Sequence, residues 1–169
     1  MGRALAAATL AAGHPTVEQE QRLREEAQRD LWAAVCAVEA VLHPEADRTF
    51  PERKKAGEAV LLTVPTAQVR VRQDGWYVAD RGPLWITTRR LHYAGKKDVT
   101  IPWDKVSACS VTRIGGMNAV GITRWDREKP LYFVEAAGSL TMSLGAVSVQ
   151  VPLDAAHLAE LILARVRAS

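Results

Sequence analysis

The sequence is poor in cysteine. Its two thiols, Cys36 and Cys109, stand far apart in apolar surroundings, in no Cys-x-x-Cys or comparable pattern. That excludes a disulfide framework and leaves no thiol motif for a metal or for redox exchange. They read as buried free thiols, in keeping with a reducing cytoplasm. Long apolar runs are missing too. Nothing approaches the roughly 20 apolar residues needed to span a bilayer, and the best stretch, Leu31 to Leu42, is short and contains Glu39. The opening, Met1-Gly2-Arg3 followed by ALAAATLAA, imitates a secretory signal only in outline, with one basic residue and a run made mostly of Ala. The expectation is a soluble, cytoplasmic chain.

The signatures of common chemistries are also lacking. His14, His43, His92 and His157 have no ligand spacing among themselves or with the cysteines, whereas a zinc site read from sequence shows ligands at short, defined intervals. Ser107 and Ser110 flank Cys109 without a Gly-x-Ser-x-Gly elbow, and Gly115-Gly116 is not followed by the Lys-Ser/Thr of a phosphate loop. Paired carboxylates on one face are absent from the strand-rich region. No enzyme is expected, and no metal or small-molecule cofactor.

What is present is an ordinary globular composition, 48% apolar and 24% charged over 169 residues, enough for one well-cored domain and an extension. Charge is uneven. Residues 1–52 hold five Arg against nine acidic residues, net −4, and residues 53–169 hold 17 basic against 10 acidic, net +7. Such asymmetry suits an anionic partner for the basic part, or two modules that attract each other.

Four segments follow along the chain. Residues 1–15 are small, Ala-rich and without period, a flexible N-terminus. Thr16 with Gln19 three residues on forms a capping-box pattern, opening a long amphipathic helix over 16–44. Its apolar stripe is Leu23, Ala27, Leu31, Ala34, Val35, Val38, Val41 and Leu42. Glu18–Arg22 and Glu25–Arg29 support it at four-residue spacing, and Pro44 stops it. About 27 residues make a rod of about 40 Å, whose stripe must be buried on the rest of the chain or on another copy. Residues 45–57, polar and with Pro51 and Arg53-Lys54-Lys55, read as a linker. Residues 58–169 read as strands followed by a helix.

The strand region is organised around Gly82 to Trp103. Leu84 and Ile86 alternate with Trp85 and Thr87, then Leu91 and Tyr93 alternate with Arg90 and His92, with a break at Thr88-Arg89. This predicts a hairpin with Leu84, Ile86, Leu91 and Tyr93 inward and Arg90 and His92 outward. A turn at Gly95-Lys96-Lys97-Asp98 leads to a third strand, Val99-Thr100-Ile101, closed by Pro102. Upstream, Ala59–Val64 ends at Pro65, and Ala67–Arg72 places Val69 and Val71 inward with Arg70 and Arg72 outward. Asp74-Gly75 and Asp80-Arg81-Gly82 read as turns around Trp76-Tyr77-Val78. Downstream come Lys105–Thr112, Ala119–Thr123, Leu131–Glu135 and a weaker piece at Leu140–Val151 interrupted by Gly145. A final helix is capped by Asp154 and carries Leu158, Leu161, Ile162 and Val166 on one stripe.

Gly82, Leu84, Ile86, Thr87, Arg90, Leu91, Tyr93, Gly95, Ile101 and Pro102, with Val106 and Lys129 to Val134 downstream, resemble the bacterial pleckstrin-homology-like (PH-like) and GRAM-like domains over residues from about 57 to 166. Thr88 departs from the usual Asn or Asp of the turn, and His92 from an apolar residue. The resemblance implies an α+β, mainly β fold: a seven-stranded, partly open antiparallel barrel capped by a C-terminal helix, here with a long N-terminal helical extension. It implies a binding scaffold without catalysis. Eukaryotic lipid-binding members use a Lys and then Arg-x-Arg; Arg70-Val71-Arg72 imitates the second half, but Lys54 and Lys55 precede the first strand, so that site is not carried over.

The expected function is a non-catalytic interaction module that binds a protein partner or itself. Trp85 is the aromatic anchor and Arg89, Lys96 and Lys97 are the rim, since binding residues concentrate in turns. Two alternatives come from the interleaving of Arg70, Arg72, Trp76, Tyr77, Trp85, Arg89, Arg90, His92, Lys96 and Lys97. One is a nucleic-acid-binding barrel that stacks bases and tracks phosphates; the other is an adaptor on an anionic membrane surface.

Overall fold

A computed structural model describes residues 16–37, 44–135, 139–144, 147–152 and 154–169. The chain runs α1 (Val17–Ala37), α2 (Pro44–Thr49), β1 (Val60–Arg72), β2 (Gly75–Thr87), β3 (Arg90–Tyr93), β4 (Val99–Pro102), a single 3-10 turn at Trp103–Lys105, and β5 (Val106–Ile114). Then follow β6 (Met117–Arg124), β7 (Leu131–Glu135), β8 (Ser139–Leu144), β9 (Val147–Pro152) and α3 (Ala155–Ala168). Strands β1 to β7 form one antiparallel sheet in the order β4-β3-β2-β1-β7-β6-β5, with β4 and β5 as unjoined edges, and β8 and β9 pair as a separate hairpin. The seven strands of the main sheet and the C-terminal helix agree with expectation, while the expected partly open barrel is a sheet that is not closed, with β8 and β9 lying outside it.

The alternation in the central stretch sorts as expected on its inner side. Leu84 pairs with Tyr93 and Ile86 with Leu91, and all four are fully buried beside Leu61, Trp103 and Phe133. α3 lays Leu158, Leu161 and Ile162 into the same core. Its start is capped by Asp154, which accepts the His157 backbone N–H at 2.9 Å. Gly115 and Gly116 both take left-handed backbone (φ 57° and 78°), which the two-residue β5–β6 turn requires and which costs glycine nothing.

Three upstream expectations are corrected. Pro65 does not end a strand: β1 runs through it, with Pro65 opposite Pro83. Alternate pairs of an antiparallel ladder exchange no hydrogen bonds, and the Pro83 carbonyl instead accepts from the Ala94 N–H at 3.1 Å, so two residues without N–H are tolerated face to face. Asp80-Arg81-Gly82 is strand, not turn, with a bulge between Gln68 and Val69 absorbing one residue of β2. Val71 is 53% exposed, because β7 pairs with β1 only from Thr66 to Val69 and the tip of the β1–β2 hairpin projects past the core.

The extension is a helix over Val17–Ala37, 21 residues; its expected continuation over 38–43 lies outside the described residues, as do the N-terminal residues 1–15. Its capping box forms as read, with the Thr16 N–H on Gln19 Oε1 at 2.8 Å and the Gln19 N–H on Thr16 Oγ1 at 3.2 Å. The buried stripe differs: Ala27 is exposed, while Leu31 and Trp32 are buried. The reason is a tertiary contact. Trp32 donates to Glu160 Oε2 at 2.9 Å and meets the His157 ring edge-on at 5.1 Å. Arg165, itself buried, donates to the Cys36 carbonyl at 2.6 Å. The helix thus packs on α3 of its own chain.

Candidate functional site

The largest correction concerns residues 45–57, read as a linker. They form a strap across the outer face of β2 and β3. α2 seats Ala46 at 0% exposure in a small cluster with Val60 and Trp85, completed by Phe50 and Ala94. Phe50 meets Trp85 and His92 edge-on, at 6.2 and 5.8 Å between ring centres. The strap covers Arg90 and His92, so with Leu91 and Tyr93 in the main core all four residues of β3 are buried. Arg90 and His92 do point away from Leu91 and Tyr93, but the strap covers them, so neither is a surface residue.

A buried ion pair holds the strap. Arg90 Nε and Nη2 donate to Glu58 Oε2 and Oε1 at 3.0 and 3.1 Å, and Nη2 also to the Arg53 carbonyl at 2.9 Å. The Thr87 hydroxyl donates to Glu58 Oε2 at 2.6 Å and accepts the backbone N–H groups of Arg89 and Arg90, both at 3.0 Å. Lys55 N–H reaches Glu58 Oε1 at 2.8 Å. Burial by itself would raise the Glu58 carboxyl; the hydrogen bonds from Arg90, Thr87 and Lys55 outweigh it and hold it below the ordinary value. The Arg90 guanidinium also lies over the Phe50 ring at 5.3 Å.

This arrangement disperses the residues named from the sequence. Trp85 is 5% exposed beneath α2, its indole N–H facing Thr49 Oγ1 at 3.4 Å, so it is no projecting anchor but part of the floor of a groove beside α2. Arg89 lies in the β2–β3 turn and donates to the Ala56 carbonyl at 3.5 Å. Lys96 and Lys97 lie in the β3–β4 turn, at the opposite end of β3. All three cations are exposed, but they do not make one rim. The basic-aromatic series is broken in the same way: Trp85, Arg90 and His92 are buried, while Arg70, Arg72 and Tyr77 sit on the projecting hairpin, where Arg72 donates to the Tyr77 hydroxyl at 3.0 Å.

Two other features come together. The first is a groove of about 890 Å³ between α2 and the β1–β2 surface, with Pro65, Ala67, Val69, Val78, Pro83 and Val134 among its walls and Glu45 and Arg81 among its charged residues. Val69 pairs with Val78 and Val71 with Trp76, so these side chains share a face. Val78, Val71 and Trp76 are 37%, 53% and 44% exposed, extending the groove as an apolar row toward the hairpin tip. The second feature is His92 with Glu52 and Asp98, which bring ligand atoms within 4.8 Å of one another. No spacing rule finds Glu52 and His92, because a strap and a strand 40 residues apart supply them.

No family model matches this chain, and no curated protein does. Among solved structures it is similar to the Vps36 N-terminal PH domain, at 9% identity and a TM-score of 0.39 over 57% of this chain and 79% of that one. It is similar also to the C-terminal domain of an unknown protein from Leishmania infantum, at 19% identity and a TM-score of 0.37 over 47% of this chain and 72% of that one.

Proposed function

We propose that the chain is a non-catalytic, PH-like interaction module whose ligand is a protein segment presenting apolar side chains. The observation that carries this is the continuity of the groove beside α2 with the exposed row Val78, Trp76 and Val71. Contiguous exposed apolar surface on a folded domain marks a place where something binds. Glu45 and Arg81 supply the polar edge that fixes orientation. Among the described residues the groove is lined by no histidine or cysteine, which favours recognition over reaction. Membership of the bacterial PH-like or GRAM-like group is part of the same proposal.

The test is selection of a displayed random-peptide library on the immobilised chain, with affinities then measured by fluorescence anisotropy. Apolar peptides should be enriched, and Val78→Asp should weaken them about tenfold or more while leaving the melting temperature within about 2 °C, since Val78 is already exposed. Equal binding by Val78→Asp refutes the groove. Salt-sensitive binding of single-stranded oligonucleotides, sedimentation with anionic vesicles, or self-association lost in Val78→Asp, each without peptide binding, would replace this reading with the corresponding alternative.

A further inference from the structure

His92 has two ring nitrogens in unequal circumstances. The side chain is fully buried between Phe50 and Trp85. Nδ1 is 2.8 Å from Thr100 Oγ1, whereas Nε2 has no hydrogen-bond partner. Its nearest acidic atom, Glu52 Oε1, stands at 3.9 Å, too far for a hydrogen bond. A buried ring nitrogen left unpaired costs on the order of 1–3 kcal/mol, so the strap's arrangement here calls for a further group.

The surroundings say what that group is. Glu52 comes from the strap and Asp98 from the β3–β4 turn, both exposed at their carboxylates. Among the described residues neither has an Arg or Lys ion-pair partner, unlike Glu58, which has Arg90. A neutral imidazole carries one N–H and one lone pair. When Nδ1–H donates to Thr100, that lone pair is on Nε2, the arrangement by which a hydroxyl or carboxylate orients a metal-bound imidazole.

We propose that Glu52, His92 and Asp98 bind one divalent transition-metal ion, of which Zn²⁺ fits best, with solvent completing its coordination. One imidazole and two carboxylates suit zinc, while magnesium and calcium take oxygen ligands almost exclusively. Ligand atoms about 2.0–2.2 Å from zinc lie about 3.3 Å apart in a tetrahedron. The separations of up to 4.8 Å therefore close by rotation of two exposed carboxylates around the fixed imidazole. The ion ties the strap to β3 and to the β3–β4 turn. Because the strap also carries α2, a wall of the groove, the metal would set that wall whether or not the groove binds a peptide.

The test uses the full chain without a histidine tag, stripped with chelator and titrated with Zn²⁺ by calorimetry and with Co²⁺ by visible absorption. One equivalent should bind, and the melting temperature should rise with free metal. Glu52→Gln and Asp98→Asn should each weaken binding about tenfold or more and keep the metal-free melting temperature. Thr100→Val should weaken it about 10- to 100-fold through loss of ring orientation. His92→Gln should abolish it; if that variant does not fold, the two carboxylate variants and the metal-induced shift of the His92 Nε2 resonance decide. Absence of saturable binding, or binding undiminished in both carboxylate variants, overturns the site.

Discussion

Glu58→Ala tests the interaction that fixes the strap. In the folded chain the Glu58 side chain is fully buried and that of Arg90 is 10% exposed. Removing the carboxylate therefore strands a guanidinium whose Nε and one Nη bond lose their acceptor, along with the Lys55 N–H, while the Thr87 hydroxyl keeps only the Arg90 carbonyl at 3.1 Å. Breaking one side of a buried pair costs about 3–5 kcal/mol, a large part of a typical total of about 5–15 kcal/mol. For a chain of this length that corresponds to a fall in melting temperature of about 6–20 °C. Urea unfolding followed by tryptophan fluorescence measures it, since Trp85 lies under the strap and Trp103, whose indole N–H donates to the Thr87 carbonyl at 2.9 Å, lies in the core. The double variant Glu58→Met with Arg90→Met should recover much of the loss, because no uncompensated charge remains. The pH dependence has a defined sign. The Glu58 carboxyl is held below its ordinary value, so its contribution is complete above the ordinary carboxylate range and disappears as pH falls through the folded-state value. The gap between wild type and Glu58→Ala should thus narrow in acid. A loss below about 1 kcal/mol at pH 7, with an unchanged urea slope, would show that the pair does not hold the strap.

Two further outcomes follow from packing. Trp32→Ala removes a buried ring and its bond to Glu160; it should cost about 3–5 kcal/mol if α1 unfolds with the sheet, and otherwise should release α1 to protease while the strand signal in circular dichroism persists. Gly82→Ala would drive a Cβ into the Ala94 carbonyl oxygen, a backbone atom that cannot rotate aside, so a loss of about 2 kcal/mol or more is expected by calorimetry; an unchanged melting temperature would mean that the β2–β3 crossing is looser than described.

Features set by neighbours in sequence were legible in the sequence. The inner face of Leu84, Ile86, Leu91 and Tyr93 follows from period-2 alternation, since only one phase of a strand can bury four large apolar side chains together. The caps at Thr16 and Asp154 join residues three apart, and Gly115-Gly116 carries its own turn conformation. Whether the other face of a strand meets water is a different matter, settled by what chain returns to cover it. Arg90 and His92 alternate as solvent residues do, and became buried because Phe50, Glu52 and Glu58 fold over them; Glu58 and Arg90 are 32 residues apart, with no periodicity linking them. The same covering removed Trp85 from the surface and separated Arg89 from Lys96 and Lys97, while Pro65 stayed within a strand because its partner Pro83 asks nothing of it. Local propensity and alternation write the elements and one face of the sheet; the second face, and with it the groove and the His92 cluster, exists only once distant segments are brought within bonding distance.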